Sequence, residues 1–200
     1  MNLLSHLHLS AGHPPAVAAG NLLADYLRRV GEAPADAGFR EGVRLHRAID
    51  VYTETHPATR AARACIAPPR RRLAGIIVDV AWDYFLTRDW ARYAPEPLRP
   101  FVTARIAEIQ SYLRSRAPGL HGFVERAMAE EWLLSYGTLA GLEETFQRVS
   151  RRSRAVALLP GAGREIARNE ELLHRHFSDF YPRLRAHCAR FELRPEGVRV

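Results

Sequence analysis

At 200 residues the chain is long enough for one domain that buries a core of its own. Its 47% hydrophobic and 26% charged residues exclude disorder, collagen-like repeats and coiled coil throughout, and its 2 cysteines, Cys65 and Cys188, lack the C-x-x-C spacing of a zinc knuckle or redox pair. The formal net charge of +7 comes from 29 basic residues against 22 acidic ones, every basic one an arginine, and that field attracts acidic partners, whether nucleic acid, membrane surface or protein, without choosing among them.

The opening 1–20 is rich in leucine, but no basic n-region precedes it and His6, His8, His13, Pro14 and Pro15 interrupt it, so a secretory signal is not expected. His6 and His8 would point about 200° apart on a helix, so one faces a site while the other packs or is solvated. Helical apolar spacing then recurs between proline and glycine breaks: Leu22, Leu23, Tyr26, Leu27 and Val30; Leu45, Ile49 and Tyr52; Phe101, Ile106, Ile109 and Leu113. No stretch alternates with period two. The spacing predicts helices near 16–30, 37–54, 57–66, 70–91, 97–116, 119–136, 138–151 and 163–189, an all-α chain of about eight helices in a single domain, 1–200. Asp36 is placed to cap the second of these, and Pro57 takes the first helical position after His56. The apolar run 73–86 contains two aspartates and is too short to span a bilayer, so a soluble, cytoplasmic protein is expected.

That run is apolar on nearly every side, as a buried helix is. Asp79 and Asp83 lie on it one turn apart, and two neighbouring buried carboxylates need a cation, protons or arginine partners such as Arg44, Arg47 or Arg71. His46 and Asp50 have the same i, i+4 spacing beside the stripe Leu45, Ile49, Tyr52, offering a nitrogen and an oxygen ligand to one point, or a surface hydrogen bond. Asn21 and Asp25 form a third polar turn, read as a further ligand pair or as a solvated helix edge. Arg44 and Arg47, within a turn of His46, can clamp phosphate oxygens or pair with carboxylates. The clusters Arg60/Arg63, Arg70/Arg71/Arg72 and Arg148/Arg151/Arg152/Arg154 suit a docking surface or a solvated face. No G-x-S-x-G, Walker A, G-x-G-x-x-G or H-E-x-x-H motif is present, so the His/Asp pairs point to metal-assisted hydrolysis of a phosphate ester.

Four segments in order, Met1-Asn-Leu-Leu-Ser-His6-Leu-His8-Leu, Gly20-Asn-Leu-Leu-Ala-Asp25, Gly42-Val-Arg-Leu-His46-Arg-Ala-Ile-Asp50 and Val78-Asp79-Val-Ala-Trp-Asp83-Tyr-Phe-Leu, resemble the acyl carrier protein phosphodiesterase family. Glu131-Trp-Leu-Leu-Ser-Tyr136 and His176-Phe-Ser-Asp-Phe-Tyr-Pro182 resemble its C-terminal half. The resemblance implies an all-helical fold related to the HD phosphohydrolases and a manganese-dependent removal of 4'-phosphopantetheine from holo acyl carrier protein. It also implies a metal site on Asp25, His46, Asp50, Asp79 and Asp83, His6 and Asn21 as groups behind the ligands, catalytic roles for Asp79, His46, Arg44 and Arg47, and an acidic protein rather than nucleic acid or membrane as partner. Tyr84 stands where the family pattern has histidine, and Glu54 where it has aspartate. Two other readings keep part of this: a metal phosphohydrolase acting on nucleotides or other small phosphodiesters, or a non-catalytic helical protein that binds an acidic partner.

Overall fold

The computed structural model describes residues 1–27, 33–129, 131–151 and 153–194, and among them it contains ten α-helices and no strand. They are α1 Leu3–Leu9, α2 Pro15–Leu23, α3 Ala37–Thr55, α4 Pro57–Ala64, α5 Ala74–Arg88, α6 Leu98–Leu113, α7 Pro118–Ala129, α8 Leu139–Ser150, α9 Gly163–Arg168 and α10 Glu170–Cys188. The all-α expectation holds, with two differences in element number. A seven-residue helix, α1, precedes those read from the sequence, and the last predicted helix breaks at Asn169 into α9 and α10. The first predicted helix leaves α geometry after Leu23 and continues as a 3-10 turn, Ala24–Tyr26, while its last residues, 28–30, lie outside the described residues.

Helix α5 is the axis of the molecule. Ile77, Val78, Ala81, Trp82, Phe85 and Leu86 on it are fully buried, because apolar side chains cover nearly every face, with Asp79 on the side that reaches water. Helix α10 closes one flank with Phe177, Phe180 and Tyr181, whose rings pack on Trp82, Phe85 and Tyr93. The helix ends follow local chemistry. Asp36 accepts from Phe39 N–H at 2.9 Å and from the Tyr112 hydroxyl, and His56 Nδ1 accepts from Ala58 N–H at 3.2 Å with Pro57 at the first helical position.

The contact that matters most for the site is between α2 and α3. A Cβ on Gly20 would lie 2.1 Å from the carbonyl oxygen of Phe39, and one on Gly42 would lie 2.1 Å from that of Val17 and 2.8 Å from Gly20 Cα. The two backbones therefore touch, and only glycine permits it. One residue beyond Gly20 comes Asn21, and one turn beyond Gly42 comes His46, so this crossing sets the distance between them.

Gly42→Ala drives a methyl group into backbone atoms that cannot turn aside. It is expected to cost about 3 kcal/mol or more in urea unfolding, well above the roughly 1 kcal/mol gain that Gly→Ala gives in an open helix.

Candidate metal centre

Four helices deliver the polar residues. Helix α1 brings His6, α2 and its 3-10 extension bring Asn21 and Asp25, and α3 brings His46 and Asp50, while α5 contributes Asp79 from the core side. His6 and His46 stack at 4.2 Å between ring centroids. His6 Nε2 lies 3.4 Å from Asp50 Oδ1, and His46 Nε2 lies 3.1 Å from Asp50 Oδ2 and 3.3 Å from Asp25 Oδ1. The amino group of Met1 sits 3.5 Å from Asp50 Oδ1 and 3.4 Å from Asp79 Oδ1, a positive charge between two acids.

Asn21 organises both imidazoles. His6 Nδ1 is 2.9 Å from Asn21 Oδ1, His46 Nδ1 is 2.8 Å from Asn21 O, and Asn21 Nδ2 donates to His6 O at 2.7 Å. Both oxygens only accept, so each Nδ1 carries a hydrogen and donates. In the neutral ring that leaves the Nε2 lone pair free, and both Nε2 atoms are buried without a hydrogen-bond partner, as is Asp79 Oδ1. Two orphaned imidazole nitrogens aimed at one carboxylate are what a cation satisfies. His6, His46 and Asp50 form a group whose ligand atoms all lie within 4.8 Å of one another and which can hold a divalent metal.

The electrostatics agree. Burial pushes the His6 pKa down, with Asp50 only partly offsetting it. Burial also works against the His46 proton, but Asp25 and Asp50 outweigh it and lift His46 to about 9. The His46 hydrogen bond pulls Asp25 down most strongly, and Asp50 is held far below the usual carboxylate range by His46 and His6 despite its burial. The stacked pair thus carries one positive charge, on His46, which compensates the acids around it, and a cation bound there would replace the His46 Nε2 proton. The cluster opens to solvent, since the side chains of Asp25, Asp50 and Asp79 are 75%, 41% and 29% exposed.

Two residues expected at this point have other partners. Asp83 is fully buried, and both its oxygens are taken: Oδ2 by Leu4 N–H at 2.8 Å, Oδ1 by Ser5 N–H at 3.0 Å and by the Ser5 hydroxyl. It caps α1 from across the core instead of facing the cluster, and it has no arginine partner among the described residues. Arg44 is turned away, bonded to Glu41 and to the carbonyl of Glu192 and lying 4.0 Å over the Phe191 ring. Arg47 is exposed beside the cluster. His6, expected behind the ligands, is brought among them, and His8 packs instead, 2.7 Å from the Tyr181 hydroxyl and against Trp90 and Phe101. Tyr84 donates to Glu170 at 3.1 Å, and Glu54 pairs with Arg63. Of the remaining arginines, Arg70 ties down the carbonyls of Leu158 and Pro160, Arg71 that of Ile66, and Arg148 lies over Trp132. Arg60, Arg72, Arg151 and Arg154 are exposed, and Arg152 lies outside the described residues.

Fold and centre together define a helical protein with a solvent-open His/Asp cluster suited to a divalent cation. The chain belongs to the acyl carrier protein phosphodiesterase family, whose model matches residues 1–184. It is 32% identical over 191 residues to the acyl carrier protein phosphodiesterase of Salmonella agona (strain SL483), covering 95% of this chain and 98% of the relative. It is 31% identical over the same length and coverage to that of Escherichia coli (strain K12 / DH10B). No solved structure matches it. Among the described residues, no helix is long and apolar enough to cross a membrane.

Asn21→Ala removes the acceptor that holds His6 Nδ1–H but leaves the backbone oxygen that holds His46. Divalent-metal affinity measured by calorimetry is expected to fall about 10–100-fold with the helical circular dichroism retained. Asp83 gives a second check. Burial pushes its pKa up to about 6 against the three bonds it accepts. A folded-state value above the ordinary 3.8 means a contribution to stability fully present below pH 3.8 and lost as the pH rises through about 6. Relative to Asp83→Asn, the wild type is therefore expected to lose on the order of 3 kcal/mol between pH 4 and 7, read by urea unfolding of both proteins.

Proposed function

We propose that the chain hydrolyses holo acyl carrier protein to the apo form and 4'-phosphopantetheine, using a divalent cation, Mn²⁺, held by His6, His46 and Asp50 with Asp25 and Asp79 beside them. The observation that carries this is the pair of buried, unpartnered Nε2 atoms facing Asp50, in a member of the acyl carrier protein phosphodiesterase family. The reaction adds water across the phosphodiester: the bond from phosphorus to the serine oxygen of the carrier breaks, the serine recovers a proton, and the phosphopantetheine leaves as a phosphate monoester. A bound divalent cation supplies Lewis acidity and lowers the pKa of water at such a centre.

The chain's own groups do the rest. Asn21 holds both Nδ1–H groups, so the two Nε2 edges are aimed at the cation, which would take the place of the His46 Nε2 proton. Asp83, by capping α1, positions His6 without touching the reacting atoms. Asp25, three-quarters exposed at the mouth, accepts a proton from the water side. An open cluster is what a phosphodiester fixed to the surface of a folded protein requires, since it cannot enter a deep tunnel. The chain's positive balance steers an acidic carrier toward it, and added salt weakens the encounter.

Purified protein incubated with holo carrier and Mn²⁺ is expected to release the phosphopantetheine mass in intact-protein spectra. His46→Ala is expected to abolish this, and chelation to stop it until Mn²⁺ is returned. An unchanged holo mass, with a verified family enzyme active in parallel, would overturn the assignment. In the same assay kcat/KM is expected to fall with ionic strength.

A further inference from the structure

With Arg44 committed to Glu41 and the C-terminal segment, α4 offers another guanidinium, set against residues one turn from Asp50 and Asp79. Arg63 Nη1 donates to Glu54 Oε1 at 2.8 Å, and Glu54 stands one helical turn beyond Asp50 on α3. On its other side, the Nη2, Cζ and Nε atoms of Arg63 lie 3.7–3.8 Å from where a side chain on Gly75 would begin. The guanidinium therefore rests on the α5 backbone, and any side chain longer than alanine at position 75 would displace it. Gly75 is one turn before Asp79, and helical side chains lean toward the N-terminus, so Asp79 leans toward the place Arg63 occupies.

Arg63 is thus held between α3 and α5, against residues that each stand one helical turn, about 6 Å of rise, from Asp50 and from Asp79. Its Nε is buried and has no hydrogen-bond partner, so the fork keeps one N–H unsatisfied. An arginine present only to pair with the exposed Glu54 would gain little from this arrangement, since surface pairs contribute about 0–1 kcal/mol.

We propose that Arg63 binds the non-bridging oxygens of the substrate phosphodiester, an inference that rests on the phosphodiesterase reading above. Arg63→Gln is expected to lower kcat/KM on holo carrier about 100-fold or more, to weaken inorganic phosphate binding to the Mn²⁺-loaded protein at least about tenfold, and to leave Mn²⁺ affinity within about threefold. Arg63→Lys is expected to recover part of both losses, and Arg60→Gln, exposed on the same helix, to match the wild type. Turnover and phosphate affinity of Arg63→Gln both within about threefold of wild type would overturn the proposal, as would a loss confined to Mn²⁺ affinity, which would assign Arg63 to the acids and not to the substrate. Should the wild type leave holo carrier intact, the activity assignment fails, and the phosphate titration alone decides the role of Arg63.

Discussion

The site depends on two helices meeting backbone to backbone. Where α2 and α3 cross at Gly20 and Gly42, no side chain separates them, and the main-chain oxygen of Asn21 comes within 2.8 Å of His46 Nδ1. Ordinary helix packing, at 8–10 Å between axes, leaves a layer of side chains in between. Removing that layer allows one asparagine to hold an imidazole from α3 through its backbone and an imidazole from α1 through its side chain. The stacking of His6 on His46, the burial of both Nε2 edges and the position of Asp50 against both follow from that single crossing.

Charge inside the helical core is settled in two different ways. Asp83, fully enclosed, is satisfied by hydrogen bonds from the first turn of α1, where free backbone N–H groups and the helix dipole favour an anion. Asp50 and Asp79, nearer the surface, are left facing imidazoles and an amino group. The same helix, α5, thus carries one carboxylate that builds and one that faces the His/Asp cluster. Their separation of a single turn keeps the short α1 in register with the site it serves.

Much of this was legible from residue spacing, and the parts that were not have a common cause. The buried character of α5, the pairing of His46 with Asp50, the cap at Asp36 and the first helical position of Pro57 are local patterns, and each appears where the spacing put it. The partner of Asp83 lies 79 positions earlier in the chain, and no periodicity links Leu4 to it. Helix α1 is only seven residues long, below what a periodic pattern can declare, so His6 read as a supporting group, whereas it stands in the group that can hold a divalent metal. Arg44 pointed to phosphate because its neighbours in sequence did, whereas its neighbours in space are Glu41, Phe191 and Glu192. The one signal available for Arg63 was indirect: a glycine, Gly75, inside an otherwise bulky apolar helix.

A helix of seven residues has no independent stability in water, because so few hydrogen bonds do not repay its nucleation. Helix α1 exists only while it is docked, through Asp83 at its first turn, Asn21 at His6 and the Asn2 amide on the Tyr136 hydroxyl. One ligand of the cluster therefore belongs to a segment whose folding and whose occupancy are thermodynamically linked. An ion that engages His6 favours the docked segment by the free energy it gains there, and a lesion that loosens the segment, even at Tyr136, is felt as weaker ion binding.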